Sequence, residues 1–259
     1  MADPTAGNGP LLTGVGVGPG DPQLLTLAGL AALRDADLVV VPVRDDVDEV
    51  GYAERVVRHH LPDARIARAP FALTEREGVT PRRAQAWDAA AALVVDAFAA
   101  GAATIAFATI GDPNVYSTFG YLAASVLEGM PTLTTRTVPG VTAMQALAAA
   151  SGTVLCEGRE PLVLMPVLGD PAELDAVLAC DLLAGATVVA YKGGRRWPAL
   201  RDVLAARGRL AHAVVGSHLG RPDESVGPAT AVDAAAGAEL PYLSTVLAPP
   251  ARGGRGGKL

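Results

Sequence analysis

The sequence predicts an α/β protein with two domains, and three observations favour that class. Short runs of apolar, β-branched residues alternate along the chain with longer segments of helical periodicity. The apolar runs are continuous rather than alternating, which is typical of strands covered by helices on both faces. The chain has 259 residues, half of them hydrophobic, which is enough for two cores of ordinary size.

The predicted strands are short segments rich in Val, Ile, Leu and Thr, beginning with LLTGVGV near the start of the chain. In chain order they lie at 11–17, 37–43, 103–109, 133–138, 162–167, 186–191, 212–217 and 242–248.

The predicted helices are the longer segments between these strands. The first begins where Asp21 can cap the free N–H groups and Pro22 occupies the first helical position. The apolar segment 89–110 carries Asp96 and Gly101, so it predicts a soluble helix running into a buried strand rather than a membrane span. In chain order the helices lie at 22–34, 51–61, 81–100, 115–129, 141–152, 171–181 and 195–208.

A domain boundary is predicted in the TVPGVTA segment, which divides the strands into two groups. The resulting domains are 11–138 and 139–250, each with enough residues for a core. We expect the polar start, 1–10, and the Gly-rich basic end, 251–259, to be disordered tails. No internal repeat is found.

Composition excludes several classes of protein. The net charge of −6 argues against nucleic-acid binding by the whole protein. Because Cys156 and Cys180 are far apart and no CxxC pair is present, we interpret both as buried thiols in a reducing compartment. The first residues lack the basic and apolar regions of a signal peptide, so a cytoplasmic protein without membrane contact is expected.

The glycine-rich stretch GVGVGPGDPQLLT, residues 14–26, suggests a nucleotide loop at first sight. A dinucleotide fingerprint needs a third glycine, and the three possible frames place Pro19, Asp21 or Gln23 there. Asp21 would also put a carboxylate where the pyrophosphate should bind. An NAD(P) oxidoreductase is therefore disfavoured; a tight strand-to-helix turn without a ligand stays open for this loop taken alone.

Three later stretches repeat the same design, a strand followed by small residues and then a helix. They are FATIGDPNVYST, TVPGVTAMQAL and VVAYKGG, at 107–118, 137–147 and 188–194. In an open α/β sheet, the loops at the carboxyl ends of the strands line the ligand crevice. Four such loops leave room for a flat, bulky ligand and expose backbone groups to it.

In this order and spacing, VGVGPGDPQLLTL, GDPNVYST, VPGVTA and YKGG resemble the tetrapyrrole methyltransferases, over about residues 11–250. The GDPxxYST form, YKGG and the closing PYLSTV are most similar to the branch that methylates C20 of precorrin-2 in cobalamin biosynthesis. The resemblance implies two α/β domains with the active site in the trough between them, and a homodimer. It also implies S-adenosyl-L-methionine as cofactor, S-adenosyl-L-homocysteine as product, and no metal.

Carried over by resemblance, the cofactor-binding residues lie in the loops and the first helix of the second domain. They are Pro19, Ile110, Gly111, Asp112, Val115, Thr142, Ala143, Lys192 and Ala213. Ile110 stands where the family has glycine, which is compatible with backbone contacts. Lys192 stands where several relatives have methionine, so its backbone rather than its side chain is expected to serve.

Asp112 and Tyr116 are the predicted catalytic residues. Asp112 either orients the cofactor or substrate, which we favour, or accepts a proton from the methylated carbon; Tyr116 is expected to contact the substrate. Since precorrin-2 carries several carboxylates, cations are also needed. The candidates are Arg44, Arg55, Arg58, His59, Arg76, Arg82, Arg83, Arg195 and Arg196.

Other functions stay open at this point. The substrate is either metal-free precorrin-2 or its cobalt-bearing oxidised counterpart, cobalt-factor II, and related enzymes methylate other ring positions or a protein residue. A non-catalytic tetrapyrrole carrier would keep the basic face but could lose the cofactor loops.

Overall fold

The computed structural model describes residues 9–44, 50–72, 78–232 and 239–253, and the chain divides into two compact units between Thr142 and Ala143. Each unit has its own five-stranded sheet and its own hydrophobic core. The prediction of an α/β protein with two domains is confirmed. The predicted tails, 1–10 and 251–259, lie mostly outside the described residues.

The first unit is built on a parallel sheet with the strand order β3-β2-β4-β1-β5. Its strands are β1 (Leu11–Gly16), β2 (Leu38–Val43), β3 (Ile66–Pro70), β4 (Thr104–Thr109) and β5 (Thr134–Val138). Its helices are α1 (Leu27–Arg34), α2 (Tyr52–His60), α3 (Pro81–Ala99) and α4 (Phe119–Gly129).

Helices cover both faces of this sheet, as the continuous apolar strands predict. Helices α1 and α2 pack on the face that includes Val15 and Ala108, whereas α3 and α4 pack on the face of Leu12 and Phe107. Strand β1 lies between β4 and β5 in parallel register, so the loops that follow these three strands meet at one edge.

The second unit has a mixed sheet with the strand order β6-β7-β10-β8-β9. Strands β6 and β7 are parallel, and β10 is antiparallel to both of its neighbours. The strands are β6 (Leu162–Pro166), β7 (Thr187–Tyr191), β8 (Val214–Ser217), β9 (Ser225–Pro228) and β10 (Thr245–Ala248). The helices are α5 (Ala143–Ser151), α6 (Ala172–Ala179) and α7 (Trp197–Ala206).

The helix predicted at 22–34 is interrupted. Asp21 accepts a hydrogen bond from the Gln23 N–H at 2.8 Å, as a capping residue should, but the turn that it caps ends at Leu24. Thr26 then caps α1 separately, accepting from the Gly29 N–H at 3.0 Å. The chain therefore turns once more before the main helix begins.

Two strands escaped prediction, β3 and β9. Both are short edge strands, and their sequences, IARAP and SVGP, contain proline and little continuous apolar character. The exposed position of Cys156 and Cys180 is a second difference, because buried thiols were predicted. In the part of the chain that is described, no helix has the length and apolar character needed to cross a bilayer.

Candidate active site

Four glycines bring the loops of the first unit into backbone contact at the carboxyl edge of its sheet. The Gly111 N–H donates to the Gly18 carbonyl oxygen at 2.8 Å. A Cβ on Gly16 would lie 2.5 Å from the Gly111 oxygen, and one on Gly140 only 2.1 Å from the same oxygen. Side chains at Gly16 and Gly140 are therefore excluded by backbone, so the loops after β1, β4 and β5 form one assembly.

Asp112 fastens two of these loops together. Its carboxylate is buried, with 9% exposure; Oδ1 accepts from the Asn114 N–H at 2.8 Å. Oδ2 accepts from the Gly140 N–H at 3.0 Å, which joins the loop after β4 to the loop after β5. Hydrogen bonds from backbone N–H groups to a carboxylate are charge-assisted, so this contact stabilises the arrangement of the edge.

The neighbouring positions leave room for a ligand in contact with backbone. Gly111 has φ of 67°, and a Cβ there would meet no heavy atom within 4 Å. Pro19, Ile110 and Val115 are half-buried at the same edge. Open space beside the half-buried backbone of Gly111 is compatible with a ligand that is held mainly by main-chain groups.

Tyr116 occupies the turn before α4 and explains why this helix begins four residues later than predicted. It has φ of 51°, in the left-handed region that few side chains adopt, and its ring is 46% exposed. Partial burial raises the pKa of its hydroxyl, so the phenol is protonated at neutral pH and can donate a hydrogen bond.

The first loop is also held from outside the edge. His60, at the end of α2, places its Nε2 at 2.8 Å from the carbonyl oxygen of Pro22. Since a carbonyl oxygen only accepts, Nε2 carries the proton in this contact. Thr26 adds a bond from its hydroxyl to the Pro139 carbonyl oxygen at 3.5 Å.

In the second unit, the start of α5 lies beside the end of β7. The Met144 N–H donates to the Tyr191 hydroxyl oxygen at 3.0 Å, which links the start of α5 to the Tyr191 side chain. Lys192 follows directly and has φ of 61°. Thr142, which precedes Ala143 in the chain, is buried with 6% exposure. Ala143 precedes Met144 and Lys192 follows Tyr191, so both are chain neighbours of the residues in this hydrogen bond.

Ala213 is not brought to that edge. It precedes β8, at the opposite end of the strand from the level of Tyr191, and it is 1% exposed within the core. At the carboxyl end of β8 lies instead the segment Ser217–Gly220, which contains His218. The sequence VVGSHLG, an apolar strand followed by small residues, is the signal from which this segment could have been predicted.

The cation candidates separate by position. Arg44 follows the end of β2, and Arg195 and Arg196 follow the end of β7, which are carboxyl edges. Arg58 instead bonds the buried carboxylate of Glu54 at 2.8 Å. The remaining described candidates lie on or at the start of α2 and α3; they are Arg55, His59, Arg82 and Arg83. Arg76 lies outside the described residues.

Glu54 is a buried carboxylate that is paired with two arginines, Arg58 and Arg68. Desolvation raises the pKa of this carboxyl, but hydrogen bonds from Arg68 and Arg58 outweigh that effect, so its pKa lies below the ordinary value. Arg68 reaches Oε2 at 2.8 Å from the edge strand β3. This cluster joins α2 to β3 and is structural. Within the described ranges, no group of three or more His, Cys, Asp or Glu side chains is arranged to hold a metal ion.

Comparison with known proteins gives consistent matches over most of the chain. The family model described as Tetrapyrrole (Corrin/Porphyrin) Methylases matches residues 11–235. A precorrin-2 C(20)-methyltransferase from Sinorhizobium sp is 32% identical over 243 residues, which are 92% of this chain and 94% of that protein. A cobalt-precorrin-2 C(20)-methyltransferase from Salmonella typhimurium is 27% identical, covering 91% of this chain and 94% of the relative.

Solved structures have the same fold. One is the uroporphyrin-III C-methyl transferase from Thermus thermophilus in complex with S-adenyl homocysteine. It matches with a TM-score of 0.62 at 22% identity, over 93% of this chain and 97% of that one.

Proposed function

Because the chain belongs to the tetrapyrrole (corrin/porphyrin) methylase family, we propose that it methylates C20 of precorrin-2 to give precorrin-3A in cobalamin biosynthesis. The methyl donor in this proposal is S-adenosyl-L-methionine. The observation that carries the proposal is the 32% identity to a precorrin-2 C(20)-methyltransferase over nearly the full length of both chains. Cobalt-precorrin-2 is the second candidate substrate, supported by the similarity to the Salmonella enzyme.

The residues of the first unit fit such a cofactor. The proposed contacts are Pro19, Ile110, Gly111 and Val115, which are half-buried, and a Cβ on Gly111 would point into open space. We extend the proposal to Thr142, Ala143 and the backbone of Lys192. Ala213 is left out, because it is buried at the other end of its strand. When bound, S-adenosylmethionine supplies a methyl group already activated on a sulfonium.

The protein's part in the chemistry is to position the ligands. Correct placement of two reacting groups can supply roughly 7–11 kcal/mol of the barrier reduction. Asp112 contributes by fixing the loops after β4 and β5, since both of its oxygens accept backbone N–H groups. Tyr116 is proposed to donate a hydrogen bond from its protonated hydroxyl to the substrate.

A labelled incubation tests the proposal. The purified protein is mixed anaerobically with S-adenosylmethionine carrying a ¹³C-methyl group, and with precorrin-2 or cobalt-precorrin-2 in parallel. We expect one labelled methyl group at C20 of precorrin-2, located by NMR and mass analysis. Labelling of another carbon, or of neither substrate, contradicts the proposal; faster labelling of the cobalt compound selects the second candidate.

Binding measurements separate this function from the alternatives. We expect S-adenosylhomocysteine to bind with a dissociation constant of about 1 µM or tighter, and NADH not to bind. A tetrapyrrole carrier would bind precorrin-2 but would not bind S-adenosylhomocysteine. We further propose a homodimer located in the cytoplasm, and light scattering at several protein concentrations tests the dimer.

A further inference from the structure

Three non-glycine residues in the described part of the chain have positive φ. They are Tyr116, Lys192 and His218, with φ of 51°, 61° and 53°. Each lies in the loop that follows the carboxyl end of a strand, after β4, β7 and β8 respectively. A positive φ strains the backbone of a residue other than glycine, and such residues concentrate at functional sites. The function proposed above uses the first two of them and leaves His218 without a role.

The ring of His218 is held by a neighbouring carboxylate. Its Nδ1 lies 2.7 Å from Oδ2 of Asp223, and its side chain is 26% exposed. Two acceptor atoms at this distance would repel each other, so Nδ1 carries a proton. The other carboxylate oxygen of Asp223 lies 3.0 Å from Nε of Arg221, so one negative charge is shared by two partners.

The second ring nitrogen of His218, Nε2, is not the atom that contacts Asp223. No hydrogen bond of His218 Nε2 is found within the ranges that the structure describes. The loop is closed by the Gly220 N–H, which donates to Glu224 at 2.6 Å and so engages that carboxylate. The charged groups around His218 on its own loop are therefore Arg221, Asp223 and Glu224.

His218 and Lys192 share one edge of the second unit. Thr245 of β10 pairs with Tyr191 on one side and with Gly216 on the other, so β7 and β8 end at the same level. The two strands are separated by β10 alone, which puts their ends about 10 Å apart. A cation at Lys192 and an imidazole at His218 thus lie on either side of the start of β10.

We propose that His218 binds a ligand carboxylate through Nε2, with Asp223 fixing the orientation of the ring. The proposal rests on the function proposed above, in which the carboxylate comes either from a side chain of the tetrapyrrole or from the amino-acid group of the cofactor. Nε2 must carry a proton to donate to a carboxylate while the Nδ1–H group contacts Asp223, so the bound ring is the imidazolium.

Two variants and one control test this role. His218→Gly removes the ring and relieves the positive φ, while His218→Asn keeps a short side chain that tolerates this conformation. The control is His212→Asn, because His212 is exposed at the opposite end of β8 and has no proposed contact with a ligand. Thermal denaturation establishes that all three proteins fold.

Calorimetry with S-adenosylhomocysteine and an anaerobic absorbance titration with precorrin-2 distinguish the two sources of the carboxylate. We expect both His218 variants to bind one of these ligands about tenfold more weakly, with the control unchanged. His218→Gly should melt at or above the temperature of the wild type.

Affinities within about twofold of the wild type for both ligands would overturn the proposal. A wild-type protein that binds neither ligand refutes the proposed function itself. A wild type that methylates precorrin-2 while the His218 variants bind normally refutes only the role of His218.

Discussion

Replacement of Gly140 by Ala tests whether the loop contacts of the first unit determine activity. The added Cβ would lie 2.1 Å from the Gly111 oxygen and 2.7 Å from the backbone of Gly16. Because both neighbours are backbone atoms of strand ends, neither can rotate away as a side chain would. The loop after β5 must move instead.

The size of the movement follows from these distances. A Cβ does not approach other heavy atoms closer than 3.0 Å, so the gap at Gly140 must open by about 0.9 Å. The Gly140 N–H lies 3.0 Å from Asp112 Oδ2, and the same movement takes this contact beyond hydrogen-bond distance. Overpacking and the lost bond together should cost about 2–4 kcal/mol of unfolding free energy.

The activity of Gly140→Ala should fall as well. A displacement of about 1 Å in a positioning element can reduce the rate roughly 100-fold. We therefore expect kcat/KM for precorrin-2 to drop about 100-fold, with the melting temperature lower by roughly 5–12 °C. Radiolabelled methyl transfer and differential scanning calorimetry measure the two effects.

Gly120→Ala is the matched control. Gly120 lies in α4, and a Cβ there would meet no heavy atom within 4 Å. Alanine should stabilise this helix by about 0.5–1 kcal/mol and leave activity unchanged. If Gly140→Ala retained both the activity and the melting temperature of the wild type, the loops would not be in the contact that we describe.

Three further predictions concern single residues. Gly18→Val puts a branched side chain at φ of 82° and should weaken S-adenosylhomocysteine binding at least about tenfold by calorimetry; unchanged affinity would locate the cofactor elsewhere. Asp112→Asn should raise KM and the cofactor dissociation constant with little change in the single-turnover rate of methyl transfer. A decrease of that rate beyond about 100-fold at saturating ligands would indicate that Asp112 is a general base. Glu54, whose pKa is lowered from 4.5, stabilises the fold above that pH and loses the contribution as pH falls through its folded pKa. Urea titrations should therefore show Glu54→Gln about 1–2 kcal/mol less stable at pH 7, with a difference that shrinks as the pH falls below 4.5; a difference that does not change with pH would contradict this.

The fold was predictable where the hydrophobic pattern is strong. The buried strands β1, β2, β4 and β7 consist of continuous apolar runs, so their positions follow from sequence alone. The edge strands β3 and β9 are stabilised by pairing with a neighbour rather than by burial of their own side chains. Local sequence carries little signal for such strands, because tertiary pairing decides them.

The site was predictable as a set of loops but not in its contacts. Strand ends followed by small residues indicate which loops meet, since parallel strands end at a common edge. The contact of Gly140 with Gly111 and the position of Ala213 depend on how the loops turn, and no periodicity records that. His218 is a case in which the strand pattern was present, and the positive φ that marks it is visible only in three dimensions.

The contacts of Asp112 favour the positioning role over the general-base role, both of which its sequence position allows. A general base needs a lone pair directed at the substrate, yet both carboxylate oxygens already accept backbone N–H groups from two loops. Proton transfer by Asp112 would therefore act against the bond that holds the loop after β5. Positioning requires no such loss, because the bonds that fix the edge are the same before and after methyl transfer, and the proton of the methylated carbon can leave to water or to a ring nitrogen.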